Sequence, residues 1–343
     1  MADFVDTTPS LRITGVAGTQ GLASRDATTL TLGNDVATTT RIDADTGHAL
    51  VTGQLFGCSW YGNTVAFGTG VRIYFRFRIE NNTPGSGFTL TLADNSTNPS
   101  TAMCGSGGEY LGYAGTNANA AGVPYTAAIV PSKIGIEFDT QVDPLTPRSD
   151  PNARHVALVY WNQAYDVVTF APYTVDDNVH HTAPPATVFE NLLGPDYFNL
   201  TSPLSTKRAT LTCLNSSSTC PTAADRSFLV RMDIVRAYTP LGGAVTRGTG
   251  TYAIKAWIVK GTSADDFAGI DNVAVDFSGT NSANYLESGS ILLPPTVYLS
   301  DTVTFQDLNK TAEVFRNFWV GFTVGQGATG QRFTVTDFKL KTR

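Results

Sequence analysis

The chain has 343 residues, enough for one large domain or two smaller ones, and only 15% of them are charged. A net charge of −6, with no basic run and no basic amphipathic helix, gives no electrostatic reason to expect nucleic acid or an anionic membrane as partner. No apolar stretch is long enough to span a bilayer, so membrane insertion is not expected.

Gly, Thr, Ser and Asn abound, a composition usual for exported β proteins. Met1-Ala2 leads directly into a polar segment, so a signal peptide is not expected here and the start is expected to be that of a mature chain. In chain order, residues 1–45 are polar with short alternating pieces, Leu11-Arg12-Ile13 and Leu30-Thr31-Leu32, that suggest an edge strand. Val71 to Ile79 (VRIYFRFRI) alternates strictly. Val71, Ile73, Phe75, Phe77 and Ile79 share one face, and Arg72, Tyr74, Arg76 and Arg78 the other. Gly87 to Ala93 (GFTLTLA) repeats the pattern after the turn formers Asn81 to Gly85. Residues 105–115 (GSGGEYLGYAG) form a glycine-rich loop whose backbone can approach a ligand closely.

The next stretch, Ile134 to Trp161, reads strand, loop, strand. Ile134, Ile136 and Phe138 face one way and Gly135, Glu137 and Asp139 the other. The return strand opens at His155, so an antiparallel pairing brings His155 beside Glu137. Two carboxylates on one strand face repel and are costly to bury, unless a cation neutralises them. Glu137, Asp139, Asp143, Asp150 and His155 supply four carboxylates and one imidazole within nineteen residues. That donor set suits hard and transition cations together.

Residues 162–226 hold many prolines, and a short helix is expected near Ala186 to Leu193. Asp176, Asp177, His180 and His181 cluster there and read as a solvated loop. Strands return at Phe228 to Val235 and Thr251 to Val259. The ending, Phe318 to Lys341, reads as a hairpin around a Gly-rich turn. Of the four cysteines, Cys213 and Cys220 bracket the short loop LNSSST, an easy bridge, which leaves Cys58 and Cys104 as the other pair. Three connectivities stay open in principle, and disulfides imply an oxidising compartment. Acceptor sequences for N-glycosylation stand at Asn81, Asn95, Asn199, Asn215 and Asn309.

The 134–161 stretch resembles the metal-binding segment of L-type (legume-type, concanavalin A-like) lectins. Glu137-x-Asp139, the Asp150-Pro151 pair and His155 five residues later match that pattern; Asp143 stands where the family usually has Asn. The resemblance implies an all-β, concanavalin A-like jelly-roll sandwich of two antiparallel sheets. It implies a single domain over 1–343, interrupted by an insertion at about 162–226. It implies a transition ion such as manganese on Glu137, Asp139, Asp150 and His155. Calcium would sit on Asp139, Asp143, Asp150 and the Gln141 backbone carbonyl.

The family's sugar site would fall on Ser86, Gly107, Gly108, Asp143, Gly327 and Ala328, with Thr329 beside them. Trp60, Tyr110 and Tyr113 are candidate stacking aromatics. Ser86-Gly87 departs from the family's Asp-Gly, so the charged acceptor for sugar hydroxyls is missing. The expected function is that of an extracellular or cell-surface carbohydrate-binding protein, a non-enzyme. The GYAG wording resembles bacterial members, which suggests an adhesin or pilus-associated protein, with a homo-oligomer or surface assembly left open. Ser86 and the long insertion favour an alternative, an assembly subunit on a lectin fold without sugar binding. Glycoside hydrolysis is disfavoured, because Glu137-Phe138-Asp139-Thr140-Gln141 lacks the second glutamate that retaining chemistry on such a strand needs.

Overall fold

The computed structural model describes residues 4–6, 22–34, 41–42, 49–50, 56–81, 85–105, 107–115, 126–130, 132–141, 154–161, 208–214, 220–241, 247–261, 297–306, 315–326 and 330–342. The strands among them are β1 (Phe4–Asp6), β2 (Ala23–Arg25), β3 (Leu30–Gly33), β4 (Arg41–Ile42), β5 (Ala49–Leu50), β6 (Phe56–Tyr61) and β7 (Val65–Ala66). They continue as β8 (Gly70–Ile79), β9 (Gly87–Asp94), β10 (Lys133–Asp139), β11 (His155–Trp161) and β12 (Arg208–Thr210). The last are β13 (Ser227–Leu241), β14 (Arg247–Lys260), β15 (Val297–Gln306), β16 (Asn317–Gly325) and β17 (Arg332–Thr342). No helix among the described residues is long and apolar enough to cross a membrane.

Two antiparallel sheets hold nearly all of these strands. The first runs β1-β6-β16-β9-β10-β11-β12, with β7 also paired to β16; the second runs β15-β14-β13-β8-β17-β3-β2. This is the sandwich of two antiparallel sheets that the sequence implied. The polar segment at Leu30-Thr31-Leu32 is β3, one strand in from the edge strand β2. Leu11 to Ile13, the 186–193 helix and the Asp176 to His181 cluster lie outside the described residues. β12 extends the first sheet beyond β11.

The period-two patterns decide which faces meet. Val71, Ile73, Phe75, Phe77 and Ile79 of β8 are buried in one core cluster. With them lie Phe88, Leu90 and Leu92 of β9, Ile134, Ile136 and Phe138 of β10, and Phe318, Val320, Phe322 and Val324 of β16. Aromatic rings bind the two sheets at the centre. Phe77 of the second sheet lies 4.7 Å from Phe138 and 5.1 Å from Phe88 of the first, and Phe75 lies 5.1 Å from Phe322. Offset and edge-on pairs like these add about 0.5–1.5 kcal/mol each beyond their buried area.

The outward faces are also structured. On the second sheet Asp233 accepts two hydrogen bonds from Arg72, both at 2.8 Å, and two from Arg231, at 3.1 and 2.6 Å. All three residues are buried, and the Arg231 guanidinium lies 4.8 Å from the Trp257 ring. On the first sheet, a smaller apolar cluster of Phe56, Cys58, Trp60, Ala93, Met103, Cys104 and Ile129 packs on the outward face. It seats the 103–115 segment against that sheet. The anchors are the Cys58–Cys104 disulfide and the Trp60 indole N–H, which donates to the Met103 carbonyl at 2.9 Å. The Tyr113 hydroxyl adds a bond to the Val159 carbonyl at 3.3 Å.

Candidate metal and ligand site

The acidic strand pair forms as its sequence requires. β10 and β11 are antiparallel, with Asp139 opposite His155 and Glu137 opposite Ala157. Cross-strand partners share a face, so Glu137, Asp139 and His155 all project outward, away from the aromatic core. Each is at most 2% exposed. His155 Nε2 lies 3.1 Å from Glu137 Oε1, while Asp139 Oδ1 accepts the Gln141 amide N–H at 2.8 Å. The structure therefore joins Glu137 to His155 directly and turns the Asp139 carboxylate toward the loop that follows. Asp143 and Asp150 lie outside the described residues. Among the described residues no three His, Cys, Asp or Glu side chains already converge on one point.

Strand register extends this row across the sheet. His155, Asp139, Gly87, Gly325 and Phe56 are successive neighbours on β11, β10, β9, β16 and β6. Gly87 has φ +140°, and a Cβ there would collide with the Phe138 carbonyl oxygen, so the position beside Asp139 takes only glycine. Ser86 is buried, and its carbonyl accepts the Thr140 amide at 2.9 Å. The next outward row is Glu137, Thr89, Thr323 and Cys58. The hydroxyls of Thr89 and Thr323, and of Thr91 one row further, are buried with no hydrogen-bond partner among the described residues.

Five chain segments converge where the His155–Phe56 row ends the sheet. The Gly108 amide donates to the Gln326 carbonyl at 3.2 Å, and a Cβ on Gly325 would strike the Gly108 carbonyl. The Gln326 side-chain amide donates to the carbonyls of Asn34 and Gln331, at 2.8 and 3.0 Å. The Gln331 Oε1 accepts from the Gly85 amide at 3.0 Å and from the Thr140 hydroxyl. Gly108 thus lies at the same end of the sheet as Asp139, two strands away. Gly327, Ala328 and Thr329, between the two glutamines, lie outside the described residues. Gln326, Gln331 and Thr140 were not singled out from sequence; glutamines flanking a Gly-rich turn were the available signal.

Two of the three candidate stacking aromatics are corrected by the structure. Trp60 and Tyr113 are 0% and 1% exposed, packed beneath the 103–115 segment, so their rings cannot meet a ligand. Tyr110 alone is partly exposed. Both disulfides form in the pairing Cys58–Cys104 and Cys213–Cys220, with no free cysteine.

The residues present suit a bound cation. Two carboxylates and an imidazole are buried on one strand pair, and the neighbouring threonine hydroxyls offer further unsatisfied oxygens.

No family model matches the chain, and no curated protein sequence matches it either. Comparison with solved structures returns a lectin from Bauhinia forficata in complex with GalNAc: 13% identity, 99% of this chain and 93% of that one covered, TM-score 0.40. It also returns the VIP36 exoplasmic/lumenal domain in a Ca2+/Man3GlcNAc-bound form (12%, 94% and 82%, 0.39). A legume lectin-like domain from Entamoeba histolytica follows the same pattern (7%, 100% and 91%, 0.38). At such identities and scores none of these likenesses bears on ligand or metal. The two antiparallel sheets packed on one shared core form the concanavalin A-like jelly-roll sandwich that the sequence resemblance implied.

Proposed function

We propose that this chain is a metal-dependent carbohydrate-binding protein that works outside the cell or on its surface. One observation carries the reading: Glu137, Asp139 and His155 are buried together on the outward face of β10 and β11, with Asp139 in register with Gly87 and the Gly108 loop two strands away at the same end of the sheet. Glu137, Asp139, Asp150 and His155 would hold a transition ion such as manganese. Asp139, Asp143, Asp150 and the Gln141 carbonyl would hold calcium. The ions would neutralise the buried carboxylates and fix the loop after Asp139. Gly107, Gly108 and the 327–328 turn would then present backbone groups to sugar hydroxyls, with Ser86 and Asp143 beside them. Two disulfides support an oxidising compartment. A surface or pilus-associated adhesin is the setting this fits.

The second reading is an assembly subunit that keeps the fold without binding sugar, and the burial of Ser86, where the family has an acceptor carboxylate, favours it. A glycan array probed with the full chain, with calcium and manganese present and again with chelator, separates the two. Binding that chelator abolishes supports the lectin. An array that stays blank with both metals present overturns it in favour of the assembly subunit.

A further inference from the structure

At the other end of the sandwich the sheets frame a cleft of about 640 Å³, lined by Ala66, Gly68, Asn95, Ser96, Arg316 and Asn317, with Asp94 and Arg236 at its sides. That volume falls within the range of small-ligand pockets, about 300–1,000 Å³. Asp94 closes β9 seven residues beyond Gly87, the partner of Asp139, so the cleft lies about 23 Å from the acidic row at ~3.3 Å per residue. It is a separate site from the one described above.

Its chemistry is specific. Asp94 is buried, and its carboxylate already accepts the Ser96 amide at 3.1 Å and the Ser96 hydroxyl at 2.7 Å. Arg236 is held over aromatic rings, with its guanidinium 4.7 Å from Tyr238 and 5.9 Å from both Phe67 and Tyr252. Packing of this kind sets a guanidinium in place before a ligand arrives, which lowers the entropy lost on binding. Arg316 is exposed, and its guanidinium has no partner among the described residues. The side-chain amides of Asn95 and Asn317 likewise have none, and the two residues are tied together by the Asn95 amide donating to the Asn317 carbonyl at 3.0 Å. The cleft thus presents the exposed Arg316 guanidinium and a second one, Arg236, held in place by the Gly68 carbonyl at 3.5 Å, beside one carboxylate engaged by Ser96. Two amides that both donate and accept stand beside them.

We propose that this cleft binds a saccharide bearing a single carboxylate, of the uronic-acid kind. The planar, charged Arg316 and the pre-set Arg236 take the carboxylate through charge-assisted hydrogen bonds, while Asn95 and Asn317 meet ring hydroxyls. Unlike the site at Asp139, this one needs no metal.

The test is calorimetric titration of the full chain with glucuronate, glucose and acetate, all in excess chelator. Chelator removes any contribution of the metal-dependent site, so failure here and failure there are distinguishable. Glucuronate is expected to bind at least about tenfold tighter than either glucose or acetate. Arg316 is exposed, so Arg316→Gln should fold with an unchanged melting curve; it is expected to weaken glucuronate about tenfold, and Arg236→Gln at least as much. Equal binding of acetate would reduce the cleft to an anion site and overturn the proposal. So would equal binding of glucose, no measurable binding of glucuronate in chelator, or a glucuronate affinity that neither substitution changes.

Discussion

The Cys58–Cys104 bridge joins β6 to the start of the segment that covers the outward face of the first sheet, across 46 residues of sequence. The Cys213–Cys220 bridge spans 7. Closing a loop in the unfolded chain scales with the logarithm of its length, so the first bridge contributes about 4 kcal/mol and the second about 2. Unfolding entropy of about 2.1 cal/mol/K per residue gives this 343-residue chain roughly 0.7 kcal/mol/K at its midpoint. Removing Cys58–Cys104 as a double alanine variant should then lower Tm by about 5–6 °C, and removing Cys213–Cys220 by about 3 °C. Scanning calorimetry on the two variants and the parent measures both. The first variant should also weaken ligand binding at the Gly108 end, because Met103 to Tyr113 is seated by Cys104, Trp60 and Tyr113 together. Equal shifts, or a larger shift for the short loop, would refute this reasoning.

Four further outcomes follow. Gly87→Ala places a methyl on the Phe138 carbonyl at φ +140° and should prevent folding or cost several kcal/mol, read by the yield of folded protein and by denaturant titration. Asp233→Ala strands the buried guanidiniums of Arg72 and Arg231 and should cost about 3–5 kcal/mol in the same titration. Trp60→Phe leaves the buried Met103 carbonyl without its indole donor and should cost about 1–3 kcal/mol while keeping the aromatic volume. The Asp225 carboxyl is held below the ordinary aspartate range by the Thr222 hydroxyl and then by the Thr222 amide. A depressed carboxyl stabilises the fold above its unfolded pKa and loses that contribution as pH falls through the folded value. Asp225→Asn should therefore lower stability slightly at neutral pH, leave it nearly unchanged below the folded value, and so flatten the acid limb of a stability-versus-pH curve.

Alternation made much of this fold legible. VRIYFRFRI and the Ile134–Phe138 pattern assign the core face of both sheets correctly, because a period of two leaves one choice once a core exists. The approach of His155 to Glu137 was also readable, though the register puts the His155 backbone opposite Asp139 and only the imidazole leans to Glu137. β15 was not readable. Asp301 occupies a core-side position opposite Ile254 and breaks the apolar alternation of Val297, Leu299 and Val303. Nor did Trp60 and Tyr113 announce their burial, since it depends on a covering segment some fifty residues away in sequence from Trp60. The cleft at Asp94 draws on residues 66–68, 94–96, 236 and 316–317. No local motif can mark a site assembled from four such distant pieces.

Metal-dependent recognition requires that the Glu137, Asp139 and His155 side chains hold an ion. Elemental analysis of the purified full chain, dialysed against metal-free buffer and then against manganese and calcium, measures this directly. One transition ion per chain with calcium beside it is predicted, with the transition ion lost in Glu137→Gln and both ions lost in Asp139→Ala. Saturation at about one hundred times Kd should add about 2.7 kcal/mol to the folded state. A chain that takes up neither ion, and melts at the same temperature with chelator as with both metals, would contradict it.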